Sequence, residues 1–306
     1  MARSLLTLRD ISREDLFAIF ERARIFKDKI RRQERVDVLR NKIVGLVFEK
    51  PSTRTRTSFE VATLRLGGGT VYLPATELQL TRGESIKDTA RILGSYLDAL
   101  VARVYAHQTA EELALYSGIP VINGLSDLAH PTQAVCDLIT ILEIKGGFDG
   151  LTLAYIGDGN NTCHSLLLGC ALVGMNMNAA CPDEYNPDSD VLEEALLIAA
   201  ATGSRLNVLQ DPIEAARGAD VLYTDVWVSM GEEEEEETKF KVFRGYQINA
   251  DLLKVAAKSA AVMHCLPAHR GLEITDDVLE GPQSVVWQQG ENKMYGAAGI
   301  LDFMLR

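Results

Sequence analysis

Phe48-Glu49-Lys50-Pro51-Ser52-Thr53-Arg54-Thr55-Arg56 is the stretch from which the rest of the chain can be read. It begins where an apolar run, Ile43-Val44-Gly45-Leu46-Val47-Phe48, ends. It leads into a segment with helical apolar spacing at Phe59, Ala62 and Leu66. A continuous apolar run of this length reads as a strand buried on both faces, and the spacing after it as a helix. Pro51 marks the turn between them. Hydroxyls and guanidiniums are therefore concentrated where a strand passes into a helix. Unpaired backbone N–H groups and the positive end of the helix dipole already favour an anion at such a place. Ser and Thr add donors, and Arg adds a planar fork that matches phosphate oxygens. The residues predict a phosphate site. The competing reading is a serine helix cap with surface arginines.

The same strand-to-helix alternation extends in both directions. Upstream, Ser12 and Asp15 form a capping-box start, followed by an apolar stripe at Leu16, Ile19, Phe20 and Ala23. Strands are expected at 43–48, 70–73, 99–104 and 119–122, and helices at 52–65, 84–97, 109–116 and 131–144. The turn-rich Gly146-Gly147-Phe148-Asp149-Gly150 closes this series. A second series follows, with strands expected at 151–156, 177–181, 206–209, 220–224, 260–264 and 284–287, helical stretches between them, and an apolar helix at 292–305. The pattern predicts an α/β fold of two doubly wound parallel-sheet domains, with the N- and C-terminal helices bridging the domains. The expected domains are 1–145, onto which the C-terminal helix 292–306 packs back, and 150–291.

Composition narrows the function classes. The 306 residues suffice for two domains of ordinary size, and 47% hydrophobic content is ample for their cores. A net charge of −12 argues against nucleic-acid binding, which needs a basic face. There is no apolar run long enough to span a membrane, and the first residues lack a signal-peptide core. Five cysteines at irregular spacing, without a CxxC pair, fit reduced thiols and a cytoplasmic protein. Cys163-His164 and His264-Cys265 are adjacent pairs rather than spaced ligands, so no metal is expected. Gly157-Asp158-Gly159-Asn160-Asn161-Thr162 resembles the opening of a dinucleotide-binding turn. Thr162 stands where the third glycine belongs, which speaks against a nicotinamide, and no Walker motif occurs. No organic cofactor is expected. The glutamate run 232–237 reads as a solvated, self-repelling segment.

In open α/β sheets, ligand groups gather beyond the carboxyl ends of strands. Arg103 ends one expected strand. His130-Pro131-Thr132-Gln133 follows another, with Pro131 suited to the first position of a helix and His130 to its cap. A histidine there is biased toward its neutral form, which donates a hydrogen bond without carrying charge. In the second half, Asn161, Asp225 and Cys265 lie just beyond strands, and Asp225 is suited to pair with an ammonium group. One half offers an anion site and the other a site for an amine. That combination suggests group transfer from a phosphorylated donor to an amine.

Taken together, these blocks resemble the aspartate/ornithine transcarbamylase family, in its ornithine carbamoyltransferase branch, over essentially the whole length. The segment 48–56 looks like the family's carbamoyl phosphate motif, and His130-Pro131-Thr132-Gln133 is similar to its second shared motif. Gly157 to Asn161, Asp225 to Gly231 with its Ser-Met-Gly, and His264-Cys265-Leu266-Pro267 look like the ornithine-specific blocks. The resemblance implies a carbamoyl phosphate-binding first domain and an ornithine-binding second domain. It implies that Ser52, Thr53, Arg54, Thr55 and Arg103 hold phosphate, with Gln79 donated across a subunit boundary of a homotrimer or a multiple of trimers. His130 and Gln133 would address the carbamoyl group, with Cys265 and Leu266 between the two substrates. Asn161, Asp225, Ser229 and Met230 would bind ornithine. Arg54, Arg103, His130, Asp225 and Cys265 are the expected catalytic set. Glu291-Asn292-Lys293 departs from the family's usual Glu-Asn-Arg. Lys keeps the charge but loses the bidentate fork, and Lys293 is expected to reach the carbamoyl site nonetheless. The implied reaction yields citrulline for arginine biosynthesis. The alternatives are a carbamoyltransferase for putrescine or another amine, and a non-catalytic ligand-binding or regulatory homologue.

Overall fold

The structure is a computed structural model that describes residues 3–228 and 236–306, without the side chains of residues 80 and 81. The chain divides into two compact units, Met1–Ile139 with Glu291–Arg306, and Thr140–Gly290.

The first unit contains α1 (Arg13–Arg31), β1 (Ile43–Phe48), α2 (Thr53–Arg65), β2 (Gly69–Pro74), α3 (Ile86–Tyr96), β3 (Ala99–Arg103), α4 (His107–Ser117), β4 (Val121–Leu125) and the start of α5 (Pro131–Lys145). The strands pair in parallel in the order β2-β1-β3-β4. The core between sheet and helices is built from Val47, Leu100, Ala102 and Val121 against Ala90, Ala110 and Leu113. α1 begins at a reciprocal capping box between Ser12 and Asp15, as its sequence predicts. The chain leaves β1 toward β2 on one side, while β3 continues to β4 on the other. The strand order thus reverses between β1 and β3, and the carboxyl ends of those two strands open the crevice that α/β sheets use for ligands.

The second unit contains β5 (Thr152–Ile156), α6 (Asn161–Val173), β6 (Asn176–Ala180), α7 (Ser189–Thr202), β7 (Leu206–Leu209), α8 (Pro212–Ala216), β8 (Val221–Thr224), α9 (Glu236–Val242), α10 (Ala250–Val255), β9 (Ala261–His264), α11 (Asp276–Leu279) and the start of α12 (Val286–Met304). Its sheet is parallel in the order β7-β6-β5-β8-β9, so the reversal falls between β5 and β8. Ile156, Leu222, Val262, Ile274 and Val286 form part of its core.

Two expected elements differ. Residues 284–287 do not form a strand. Ser284 makes one isolated bridge to Val262, and α12 starts at Val286, six residues before the expected 292. A four-residue apolar run does not distinguish a buried strand from the first turn of a buried helix. The strand expected at 119–122 lies at Val121–Leu125, where Leu5 bonds to Val121 on its open side.

The turn from β5 into α6 depends on Gly159. A Cβ there would meet backbone atoms of residues 185–187, Pro187 N at 2.4 Å among them, and the Gly159 N–H bonds to the Tyr185 carbonyl at 2.9 Å. The glycine lets the chain approach itself rather than a pyrophosphate. Gly159→Ala is expected to cost about 1–3 kcal/mol of stability by overpacking against rigid backbone, read as a lower urea unfolding midpoint. An unchanged midpoint would disprove the close approach.

Candidate active site

In the first unit, Ser52 is the N-cap of α2, its Oγ accepting the Thr55 N–H at 3.1 Å. The cap is formed, and it leaves the Ser52 hydroxyl an O–H to donate. Thr53 is exposed, Arg54 half-buried and Thr55 buried within the first turn. Arg56 is engaged elsewhere, stacked 3.4 Å from the Tyr72 ring centroid and bonded to Glu60 at 3.2 Å. Arg103, the last residue of β3, is buried in register with Phe48, the last of β1. The strand pairing itself thus sets Arg103 beside the end of β1, from which the chain leads into α2.

His130 is buried immediately before α5, and its carbonyl accepts the Gln133 N–H at 3.0 Å, opening the helix. Gln133 is buried too. Its Nε2 donates to Asp137 Oδ1 at 2.8 Å, and its Oε1 accepts from Lys293 Nζ. Lys293 is 7% exposed on α12, next to Asn292, whose Oδ1 accepts from the buried Lys27 of α1 at 2.6 Å. Burial holds the His130 ring well below the usual histidine range, and the positive charges of Lys293 and Arg103 push the same way. The imidazole is neutral at physiological pH, with burial rather than the helix end as the main cause. The fold brings Arg103, His130, Gln133 and Lys293 together, although Lys293 lies 160 residues from Gln133. Gln79 is exposed on a separate 3-10 turn, Gln79–Arg82.

In the second unit, β5 runs into Gly157, whose φ of 143° is open to glycine alone, and then into Asn160, the N-cap of α6. Asn160 Oδ1 accepts from Thr162 N at 2.9 Å, and its Nδ2 lies 3.3 Å from Asp225 Oδ2. The other carboxylate oxygen of Asp225 accepts the Cys265 thiol at 2.8 Å and the Val226 N–H at 2.8 Å. Asp225 and Cys265 follow β8 and β9, which are paired neighbours. Sequence reasoning singled out Asn161, which is the first residue of α6 and half-buried. It missed Asn160, the side chain that touches Asp225. The signal available was an Asn immediately before a helical run, the ordinary mark of a cap. Ser229 and Met230 lie outside the described residues.

The turn after β9 is buttressed from below. Leu266 has a left-handed backbone, φ 58°, and its N–H bonds to His264 Nδ1 at 2.9 Å. His264 Nε2 lies 3.0 Å from Glu273 Oε1. Nδ1 accepts, so Nε2 carries the proton. Ligand-type atoms of Asp225, His264 and Cys265 fall within 4.8 Å of one another. Both histidine nitrogens already have protein partners, so this arrangement does not offer the ring to a metal. The Cys265 thiol donates to a carboxylate, the opposite of the cationic surroundings that generate reactive thiolates.

A parallel α/β unit with a basic helix start and a neutral histidine is joined in one chain to a second such unit with a buried carboxylate beyond a strand end, an architecture suited to group transfer. The comparisons name its family. Residues 3–143 match the carbamoyl-P binding domain of aspartate/ornithine carbamoyltransferase, and residues 149–304 match its Asp/Orn binding domain. The chain belongs to the aspartate/ornithine carbamoyltransferase family. It is 49% identical to an ornithine carbamoyltransferase of Pyrococcus horikoshii over 99% of this chain and 96% of that one. It is 48% identical to an anabolic ornithine carbamoyltransferase of Pyrococcus furiosus over the same shares. The solved ornithine carbamoyltransferase from Pyrococcus furiosus superposes with a TM-score of 0.95, covering 98% of this chain and 96% of that one at 48% identity. The anabolic enzyme from Campylobacter jejuni gives 0.93, covering 99% of each chain at 40% identity.

The buried His130 gives folding a pH dependence of definite sign. Its folded-state pKa is depressed, so below about pH 6.5 the unfolded chain binds a proton that the folded chain refuses. Its contribution to stability is complete above that value and is lost as the pH falls below it. In urea unfolding, His130→Gln is expected to narrow the stability gap between about pH 7.5 and about pH 5. An unchanged gap would refute the assignment of a neutral buried ring.

Proposed function

We propose that this chain transfers the carbamoyl group of carbamoyl phosphate to the side-chain amine of L-ornithine, giving L-citrulline and phosphate. The observation that carries this is the cluster of Arg103, neutral His130, Gln133 and Lys293, in the same unit as the Ser-Thr-Arg-Thr helix start. Cations alone would serve any phosphate. A neutral imidazole and a fixed primary amide add hydrogen bonding suited to an uncharged carbamoyl group.

In this reading the region 1–145 with 292–306 is the carbamoyl phosphate domain and 150–291 the ornithine domain. Ser52, Thr53, Arg54, Thr55 and Arg103 take the phosphate, with Gln79 of a neighbouring subunit. Support for the latter is the exposure of Gln79 and of Val71 on the edge strand β2, consistent with a homotrimer. His130, Gln133, Cys265, Leu266 and Lys293 hold the carbamoyl group. Asn161, Asp225, Ser229 and Met230 bind ornithine, and Asn160 joins them. The name of the anabolic Pyrococcus furiosus relative supports a place in arginine biosynthesis, and the reduced thiols suit the cytoplasm.

The acceptor amine must lose its proton before it attacks. With a pKa near that of lysine, only about one molecule in a few thousand is neutral at pH 7. Asp225, held by Asn160 and Cys265, orients the amine without forming a covalent bond to it. As nitrogen bonds to the carbonyl carbon, negative charge grows on the carbonyl oxygen. Arg103, His130 and the Thr55 hydroxyl are the donors for it, each of a kind worth roughly 3 kcal/mol. Arg54 stabilises the phosphate as the C–O bond breaks, and the departing phosphate takes the proton released by the amine.

Acceptor-dependent release of phosphate from carbamoyl phosphate is expected with ornithine, with citrulline as the co-product, and not with putrescine or aspartate, and turnover of either rival in preference to ornithine would overturn the reading. Arg54→Ala is expected to lower kcat by about 100-fold or more, as for loss of a group that acts on transition-state charge; near-normal kcat would remove Arg54 from the phosphate site. Asp225→Ala should raise the KM for ornithine and leave that for carbamoyl phosphate in place, and the opposite pattern would misplace Asp225.

A further inference from the structure

The second unit contains a buried ion pair that the reaction chemistry does not call for. Lys239 of α9 is 2% exposed, and its Nζ lies 2.7 Å from Asp158 Oδ2 and 5.1 Å from the Tyr185 ring centroid. Removing two such charges from water costs several kcal/mol per ion, and apolar residues of the same shape often hold a helix equally well. What an ion pair adds is a single register for the parts that it joins.

The parts joined here lead to Asp225. Asp158 lies in the turn between β5 and α6. Its carbonyl accepts from the Tyr155 hydroxyl at 2.8 Å and from the Asn160 N–H at 2.7 Å. The Tyr155 hydroxyl also lies 3.3 Å from Asn160 Oδ1, and Asn160 Nδ2 reaches Asp225. On the other flank, Trp227 packs against Phe240 of α9 and, stacked, against Phe243 just beyond it. α9 thus grips the neighbourhood of Asp225 twice, through the turn that bonds the carboxylate and through the tryptophan two residues further along.

We propose that Lys239 is a positioning residue for acceptor recognition: by fixing Asp158 it sets the turn carrying Asn160, and through Asn160 it orients the Asp225 carboxylate. The proposal rests on the reading of Asp225 as an ornithine group. It requires no contact between Lys239 and substrate.

The test uses the full-length enzyme and separates KM for each substrate from kcat. The double variant Lys239→Met with Asp158→Asn leaves no unpaired buried charge. Its KM for ornithine should rise about tenfold, equivalent to ~1.4 kcal/mol, with the KM for carbamoyl phosphate unchanged. Lys239→Arg, which keeps the charge, should lie closer to wild type. Tyr155→Phe loosens the same turn without disturbing a buried charge and should show the same selective rise, so the test survives if the double variant does not fold. A wild-type ornithine KM in the folded variants, or a rise in both KM values together, would overturn the positioning role. An inactive wild-type enzyme would instead remove the functional reading itself.

Discussion

Every strand of each sheet runs in the same direction, and the arrangement of functional groups follows from that constraint. Parallel pairing sends all carboxyl ends to one edge of a sheet, and helices must carry the chain back to begin again. Residues far apart in sequence therefore meet at that edge without any specific attraction between them. In the first unit this places Arg103, at the end of β3, beside the end of β1, from which the chain leads into α2. In the second it places Asp225 and Cys265, at the ends of adjacent strands, within one hydrogen bond of each other. At the point where strand order reverses, the two flanking helices diverge and leave room for a ligand.

On this frame the two units solve different electrostatic problems. The first gathers cations around a histidine that burial keeps uncharged. Burial supplies most of that bias, and the positive charges of Lys293 and Arg103 add to it. The Asp137 carboxylate engages the amide nitrogen of Gln133 and thereby fixes which face of the amide presents oxygen. The second unit fixes the Asp225 carboxylate, whose oxygens accept from Asn160, Val226 and Cys265. Nearby, the fully buried His264 and Glu273 fix the backbone of Leu266 rather than offering groups to solvent.

Lysine in place of the family's usual arginine at position 293 fits this picture. An ammonium is a point charge with three donors, and it needs no planar partner. Here its Nζ donates to Gln133 Oε1. A bidentate fork is therefore not required to place positive charge beside Gln133 and His130. Anchoring comes from the neighbouring residue, since Lys27 ties Asn292 to α1.

The sequence by itself determined the elements and most of the chemistry. The apolar run 43–48 and the hydroxyl-rich helix start after it, Pro131 opening α5, and Asp225 beyond β8 are all local signals, because strand burial, helix capping and turn formation act over a few residues. The run 284–287 was ambiguous for the same reason, being too short for its period to show. Only the tertiary structure decided the partners. Asn160 meets Asp225 across 65 residues, and Lys239 meets Asp158 across 81. Such contacts leave no period in the chain, since they depend on which strand ends the parallel order sets side by side and on which charges burial obliges to pair.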